Sequence, residues 1–351
     1  MEEESNIKIV IDSQSPQNNF VKEIIRRAHL NKIEIVENLD TQPNQREKLL
    51  YISSQRGFIR PCPCSKRYRC CNYFTIDTIE GCIYDCEYCI LKSFLNNSKI
   101  LIKADIGELI SELKEFTSRI SGGGLTIRIG TGELSDSLAL ENIAPFAPIL
   151  IEETKENNNL ILEFKTKSSN VSEILNLPHN PLATISFSMT TPYLHQKLET
   201  GTPSIENRVV SAKRCVEHSY RVGFHFDPII YYQEFEKDYD AIIKMISQNI
   251  PPEAISWVSL GTIRFNPLMF DIFNNPILFG EYITDLEKKS RYPFVLRKKI
   301  YRSITSMFNH YFNSKVKLYL CMELDIMNKI ILGRTFDSDE ELNRYIIGKN
   351  E

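Results

Sequence analysis

The sequence predicts an α/β protein with a partial (β/α)6 barrel, a small N-terminal α/β extension and C-terminal helices. Three observations lead to this prediction. From about residue 72, apolar runs of strand length alternate six times with helical patterns, which is typical of a parallel sheet because each strand needs a crossover to run the same way. Residues that suit ligands follow several strands, at the end where such sheets bind ligands. The chain has 351 residues, enough for one large domain with an extension.

The first 60 residues are predicted to form the N-terminal extension, with strands at 7–11 and 32–36 and a helix at 17–30. Residues 51–60 fit either another helix or an extended link. The run from Pro61 to Cys64 then breaks the pattern, because two prolines two residues apart disfavour both helix and strand. We therefore expect an extension over 1–60, a barrel with a cysteine-rich first segment over 61–335, and a C-terminal tail over 336–351.

The strands and helices of the barrel follow from the alternation. Strands are predicted at 73–78, 125–130, 160–166, 183–188, 222–226 and 255–263, with a further strand at 317–321. Helices are predicted at 104–117, near 143–157, near 170–176, near 204–219 and at 236–248, with a last helix from residue 323.

Three cysteines follow the first barrel strand with the spacing C-x3-C-x2-C: Cys82, Cys86 and Cys89. Thiolates suit iron–sulfur chemistry, and three of them can hold three irons of a [4Fe–4S] cluster. The fourth iron is then open to bind and reduce a ligand. A structural zinc site is the weaker alternative, because zinc sites usually combine C-x2-C pairs with a fourth nearby ligand. The aromatic Tyr88 precedes the third cysteine and belongs to the same motif.

Side chains that suit a small charged ligand stand at the ends of the next strands. Glu133 follows a glycine-containing turn and can accept from an ammonium group, or it is a solvated residue of a tight turn. Lys165 and Lys167 alternate onto one side, where a lysine can pair with a carboxylate or face solvent. Ser188 is either a ligand contact or a helix cap.

The fifth and sixth strands add three further candidates. His225 and Asp227 fall on one face of the fifth strand. We expect them to line a cavity, with a histidine paired to the backbone in the core as the alternative. Arg264 follows the sixth strand and can contact an anion.

A second cysteine group lies just before the first barrel strand and comprises Cys62, Cys64, Cys70 and Cys71. Four thiolates can hold a second iron–sulfur cluster or a zinc ion, although adjacent cysteines rarely ligate one ion together. The alternatives are a hydrogen-atom or redox relay and a passive structural role. Cys321 ends a strand and either reaches the cavity or is buried, and Cys215 is expected in the core.

Composition gives few signals about partners. The net charge of −3 does not indicate nucleic-acid binding, which would need a local basic patch. Two basic clusters are candidates, with a solvated face as the alternative for each: Lys66, Arg67 and Arg69, and Arg297, Lys298, Lys299 and Arg302. Neither a signal peptide nor a membrane span is predicted. Nine cysteines without an export signal favour a cytoplasmic location.

On these residues the chain resembles the spore photoproduct lyase family of radical S-adenosylmethionine (SAM) proteins. The resemblance extends over about 61–323 and is carried by the stretches 81–91, 130–138, 164–167, 187–188, 201–202 and 223–229. It implies a cluster on Cys82, Cys86 and Cys89, with SAM contacts from Thr131, Glu133, Lys167 and Ser188. It also implies reductive cleavage of SAM to a 5′-deoxyadenosyl radical, an electron donor such as flavodoxin or ferredoxin, and damaged DNA as a candidate substrate.

Two positions depart from the founding enzymes of that family. Those enzymes return a hydrogen atom from a cysteine after the second barrel strand, and the matching place near Gly130 has no cysteine. They also carry a tyrosine directly after the third cluster cysteine, where this chain has Ile90. The candidate catalytic residues are therefore Tyr88, Cys70, Cys71 and Cys321. The sequence leaves open radical chemistry on a peptide, an RNA or a small metabolite, and a non-catalytic iron–sulfur protein.

Overall fold

Strands and helices alternate along most of the chain, as the sequence predicts. The computed structural model describes residues 6–11, 13–37, 47–63, 68–95, 99–121, 125–178, 180–285 and 287–348. The strands are β1 (Asn6–Ile11), β2 (Glu34–Glu37), β3 (Glu47–Ser53), β4 (Ile59–Pro61), β5 (Phe74–Ile76), β6 (Ile79–Glu80), β7 (Asp85–Cys86), β8 (Lys99–Lys103), β9 (Ile127–Thr131), β10 (Leu160–Thr166), β11 (Ala183–Ser188), β12 (Glu199–Thr200), β13 (Arg221–Ile229), β14 (Ile255–Thr262), β15 (Arg264–Phe265), β16 (Ile283–Thr284), β17 (Ser290–Arg291) and β18 (Leu318–Leu320).

The α-helices are α1 (Asn19–Leu30), α2 (Ile106–Ser121), α3 (Phe146–Thr154), α4 (Ser172–Leu175), α5 (Pro192–Leu198), α6 (Ile205–Glu217), α7 (Phe235–Asn249), α8 (Phe294–Phe312), α9 (Asp325–Leu332) and α10 (Asp339–Ile347). Short 3-10 helices cover Ile90–Ser93, Pro252–Ala254, Pro267–Ile272 and Pro276–Leu278. No helix in the described ranges combines the length and the apolar character that crossing a membrane requires.

The main sheet confirms the predicted partial barrel. Its strand order is β18-β14-β13-β11-β10-β9-β5-β4, and all neighbours run parallel except β4, which is antiparallel to β5. Strand β11 is buried along its whole length, because α6 covers its outer face while the inner face lines the barrel. The sheet curls into an open barrel whose two edges are β4 and β18.

The N-terminal residues form a second sheet with the order β2-β1-β3-β8-β6. Residues 51–60 are extended in β3 and β4, so the helical alternative for them is wrong. Strand β8 and helix α5 were not predicted. The start of α5 does carry a sequence signal, because Thr191 caps its first turn and Pro192 occupies its first position.

Helix α10 lies across the amino-terminal ends of the barrel strands. Its side chains Asn343 and Tyr345 donate to the carbonyl oxygens of Thr126, just before β9, and Leu318, at the start of β18. An apolar cluster joins the C-terminal residues to the sheet and comprises Trp257, Tyr319, Phe336, Leu342 and Ile346. The residues predicted as a tail therefore close the floor of the barrel.

The described residues 62–63 and 68–73 reach from one edge of the main sheet to the other, and we call them the closing segment. The two ends of the segment meet beside β5, where the backbone N–H of Cys62 donates to the Tyr73 carbonyl oxygen. Between these ends, Arg69 forms a β-bridge with Glu323, just after β18. The Arg69 guanidinium also donates to Asp325 at 2.6 Å. The cysteine-rich segment thus covers the gap in the open barrel.

Candidate active site

The predicted strand-end residues converge on one cavity of about 830 Å³ inside the barrel. This volume lies within the range of ~300–1,000 Å³ that is usual for small-molecule sites. The cavity begins at the cysteine loop beyond β6. It extends down to residues near the amino-terminal ends of β5 and β9, where α10 and the closing segment form the floor.

Cys82, Cys86 and Cys89 all line the cavity, on one loop at its mouth. Gly81 lets the loop leave β6 close to β8, because its φ is +94° and a Cβ there would lie 2.8 Å from the Lys99 carbonyl oxygen. Burial and the Asp136 carboxylate raise the pKa of the Cys82 thiol to about 12, so iron would have to displace a proton. Three thiols on one loop fit the donor set of an iron–sulfur cluster.

The cysteine loop is tied to the segment after α5. Strand β7 pairs with β12 in antiparallel fashion, and the Glu87 backbone N–H donates to the Leu198 carbonyl oxygen at 2.7 Å. The Tyr88 hydroxyl donates to the carboxylate of Glu199. The buried guanidinium of Arg208 pairs with the same carboxylate. Burial raises the pKa of Glu199, but Arg208 and Lys167 outweigh it and lower the pKa below its usual value.

Three of the four residues predicted to contact SAM line the cavity, and one does not. Glu133 and Lys167 line the cavity, as does Ser188. Glu133 pairs with Lys165 at 3.1 Å, and this lysine lowers the pKa of the carboxyl. The Lys167 ammonium lies 4.0 Å from Glu199 and 5.8 Å from the centre of the Tyr88 ring. Thr131 does not reach the cavity wall, because its hydroxyl donates to the Ser137 hydroxyl at 2.7 Å.

Asp136 is a site residue that sequence reasoning missed, although it follows directly on the Gly132–Glu133 turn. It lines the cavity and accepts hydrogen bonds from the Thr166 hydroxyl and the Lys167 backbone N–H, both at 2.6 Å. Asp136 therefore joins the loop after β9 to the end of β10. This contact orients Lys167, whose ammonium group points toward the cysteine loop.

His225 and Asp227 both line the cavity, as predicted from their shared strand face. The histidine pairs with a carboxylate rather than with the backbone, since its Nε2 lies 2.8 Å from Glu163. Ser186 and Trp257 donate to the same Glu163 oxygen. Burial raises the pKa of Glu163, but His225 and Arg128 outweigh it and hold the pKa at about 2.

The second cysteine group is only partly described, because Cys64 lies outside the described residues. Cys62, Cys70, Cys71 and Cys321 line the cavity wall on the side of the closing segment. The Cys70 thiol and burial raise the pKa of Cys71 well above its usual value. Burial and the Asp227 carboxylate do the same for Cys321. Among the described residues, no three His, Cys, Asp or Glu side chains converge on a position for one metal ion, so a zinc site gains no support.

The remaining expectations concern Cys215 and the two basic clusters. Cys215 is fully buried on α6, as predicted for a core cysteine. Two arginines drop out of the candidate basic clusters, because Arg297 is buried against Glu323 and Arg69 is paired with Asp325. Lys298, Lys299 and Arg302 remain at least partly exposed on α8, so that cluster stays a prediction. Lys66 and Arg67 lie outside the described residues.

Comparisons with known proteins agree on one family. A family model described as spore photoproduct lyase matches residues 65–267. A curated spore photoproduct lyase from Clostridium acetobutylicum is 27% identical over 178 residues, covering 50% of this chain and 52% of that protein. The Bacillus subtilis spore photoproduct lyase is 23% identical over 190 residues, covering 51% of this chain and 52% of that protein. The chain spans about half the length of the curated relatives it matches.

Solved structures extend the likeness of the fold over most of the chain. A spore photoproduct lyase complexed with dinucleoside spore photoproduct has a TM-score of 0.74 and 16% identity. The alignment covers 90% of this chain and 98% of that chain. A mutant of that lyase with bound AdoMet and dinucleoside spore photoproduct has the same TM-score, identity and coverage. At this level of identity the match establishes a shared fold.

Proposed function

Because the chain belongs to the spore photoproduct lyase family of radical SAM enzymes, we propose that it cleaves SAM reductively at a [4Fe–4S] cluster. The observation that carries this proposal is the convergence of two groups on one cavity. The thiols of Cys82, Cys86 and Cys89 stand at its mouth, and Glu133, Lys167 and Ser188 stand on the strand ends beside them. Three thiolates leave one iron open, which is the arrangement that a reactive cluster needs.

The cluster would supply one electron to SAM, which then yields methionine and a 5′-deoxyadenosyl radical that removes a hydrogen atom from the substrate. The residues around it would bind and orient SAM. The Lys167 ammonium can pair with the SAM carboxylate, and the Glu133 carboxylate can accept from its ammonium. The Ser188 hydroxyl can donate to the SAM carboxylate or accept from its ammonium. Thr131 would act indirectly, because its hydroxyl supports the turn that presents Glu133.

Damaged DNA is the substrate class that the family suggests. A duplex cannot enter a cavity of about 830 Å³, so a damaged nucleotide would have to leave the base stack before it reached the radical. The cysteine that founding members carry near Gly130 is absent. Cys70, Cys71 and Cys321 line the cavity on the side of the closing segment, and they are our candidates for returning the hydrogen atom. Tyr88 would hold the loop through Glu199. A small electron-transfer protein such as flavodoxin or ferredoxin would supply the electron.

Anaerobic reconstitution tests the proposal. Protein loaded with iron and sulfide should contain about four irons per chain, and dithionite with SAM should yield 5′-deoxyadenosine. Cys86→Ala should abolish that product. Cys215→Ala, which removes a buried cysteine outside the cavity, should keep both the iron and the product. Wild-type protein that makes no 5′-deoxyadenosine would refute the proposed chemistry, and about eight irons would establish a second cluster.

Ultraviolet-irradiated DNA tests the substrate class separately. The expected result is loss of the lesion in the presence of active enzyme, dithionite and SAM. An unchanged lesion level alongside active SAM cleavage would exclude this substrate and leave the radical chemistry in place. Cys71→Ala and Cys321→Ala should then keep 5′-deoxyadenosine formation but lower the yield of repaired product if either thiol returns the hydrogen atom.

A further inference from the structure

The floor of the cavity holds buried hydrogen-bond donors that have no partner. Among the described residues, the Tyr73 hydroxyl, the Arg128 Nε and Nη1 and the Ser259 hydroxyl make no hydrogen bond. All three residues line the cavity. Tyr73 is 8% exposed, and Arg128 and Ser259 are each 1% exposed. Unpaired buried polar groups destabilise a folded protein, so three residues with such groups in one cavity point to a ligand that accepts hydrogen bonds from them.

Arg128 is held in place by aromatic rings. Its guanidinium carbon lies 4.7 Å from the centre of the Trp257 ring, 5.3 Å from that of Tyr319 and 5.5 Å from that of Tyr73. Stacking of this kind fixes the guanidinium plane together with a hydrogen bond to Tyr319, and it leaves Nε and Nη1 unpaired. Ser259 stands directly opposite Tyr319 in the β14–β18 register. The ring contacts therefore gather the unpaired donors on one wall of the cavity.

The nearest carboxylate does not satisfy these donors. Glu163 lies close enough to Arg128 to interact with its charge, but its Oε1 already accepts from Ser186, His225 and Trp257. Gly130 keeps the wall open, because a Cβ there would lie 2.5 Å from the Tyr73 hydroxyl. Eight Arg and Lys side chains line the whole cavity against four Asp and Glu side chains. A ligand at the floor must therefore accept hydrogen bonds. The excess of positive side chains around the cavity favours a ligand with negative charge.

This floor is separate from the proposed SAM position. Arg128 precedes Gly132 by four residues on β9, which is roughly 13 Å along a strand. The SAM carboxylate would lie beyond Gly132, near Lys167 and the cysteine loop. Since α10 and the closing segment seal the floor, only a terminal group of a compact molecule can reach Arg128.

We propose that Arg128, Tyr73 and Ser259 form a subsite for a terminal oxyanion of the substrate, either a phosphate or a carboxylate. The subsite rests on the proposed function in one respect, because its ligand is taken to be the substrate of the proposed radical reaction. It fixes one end of the substrate at the floor and leaves the other end between Arg128 and the cysteine loop. A free nucleotide or the phosphorylated end of a strand would bind through its terminal phosphate, and a metabolite through its carboxylate.

Calorimetric titration of the reconstituted enzyme with inorganic phosphate and with acetate tests the subsite. At least one anion should bind wild-type protein, and the tighter one identifies the chemical source. Tyr73→Phe and Ser259→Ala should each weaken that anion by about tenfold, because each removes a hydrogen bond to a charged group. Arg128→Gln should abolish binding. Thr305→Val removes an equally unpaired buried hydroxyl on α8, outside the cavity, and should leave binding unchanged.

Two results would overturn the subsite. One is wild-type protein that binds neither anion, and the other is unchanged binding in both Tyr73→Phe and Ser259→Ala. These two variants lose no existing partner, so they keep the test decisive even if Arg128→Gln fails to fold. Formation of 5′-deoxyadenosine by the same wild-type preparation reports on the proposed function alone. Failure of the subsite can therefore be told apart from failure of the proposed function.

Discussion

The backbone of Cys86 pairs with the backbone of Glu199 in the antiparallel ladder between β7 and β12. The central cysteine of the loop is thus fixed to a residue whose carboxylate also holds Tyr88 and Arg208. One glutamate joins the loop by its main chain and by its side chain. The position of the three thiols depends on this contact as well as on their spacing in the sequence.

Replacing this glutamate should weaken both the fold and the cluster site. In Glu199→Gln the fully buried Arg208 loses its counter-charge, which should lower the free energy of unfolding by about 3–5 kcal/mol. Urea titration measures that loss, and iron content after gel filtration measures how well the loop retains its metal. Glu206→Gln, an exposed change on α6, should stay within about 0.5 kcal/mol of wild type. Full iron retention in Glu199→Gln would contradict a bracing role.

Lys167→Met should weaken SAM binding without loss of iron. The ammonium group would donate a charge-assisted hydrogen bond to the SAM carboxylate, and such bonds contribute about 1.5–3 kcal/mol. The dissociation constant for SAM should therefore rise by about 10- to 150-fold. Equilibrium binding to cluster-loaded protein measures it. Lys155→Met removes a lysine on the protein surface and serves as the control. An unaltered dissociation constant in Lys167→Met would remove this residue from the SAM site.

Gly130→Ala should destabilise the barrel. The new Cβ would lie 2.0 Å from the Glu163 carbonyl oxygen, so β9 and β10 would have to separate. Overpacking of this kind costs about 1–3 kcal/mol of unfolding free energy. The matched change Gly107→Ala on α2 meets its nearest atom at 3.7 Å and should stabilise the protein by about 0.4–1 kcal/mol. Thermal and urea unfolding of both variants compare the two sites, and equal stability would show that the strands can adjust.

Glu163 should contribute stability that depends on pH. Its pKa is about 2 in the folded protein against an ordinary value of 4.5, so the folded state favours the ionised form. The contribution is therefore complete above pH 4.5 and is lost as the pH falls toward 2; it amounts to about 3 kcal/mol. The difference in unfolding free energy between wild type and Glu163→Gln should stay level from pH 7 to 4.5 and shrink below. A difference that grows on acidification would contradict the sign.

The sequence predicted the barrel and the cysteine loop because both depend on local pattern. Alternating apolar runs report strands directly, and three cysteines within eight residues leave little choice of site. Thr131 lies away from the cavity lining because the alternation along β9 does not continue through the turn. Arg128 faces the cavity, so Thr131, three residues further along the strand, faces outward, and Gly132 with a φ of +103° then turns Glu133 back inward.

The floor could not be predicted, because it combines residues far apart in the chain. Arg128 becomes a cavity residue only when Tyr73, Trp257 and Tyr319 surround it. Those rings meet because α10 packs beneath the sheet. A buried Arg in an otherwise apolar strand is the one hint that the sequence offers.

Helix α10 has a consequence for the lifetime of a radical. A carbon-centred radical reaches its target only if no other group gives it a hydrogen atom first. The cavity around it must therefore be closed to solvent and to other hydrogen-atom donors. In this barrel the lower seal comes from Leu342, Ile346 and Phe336, which lie more than 240 residues after the cysteine loop. The proposed radical would thus be isolated from other hydrogen-atom donors only once α10 has packed beneath the sheet.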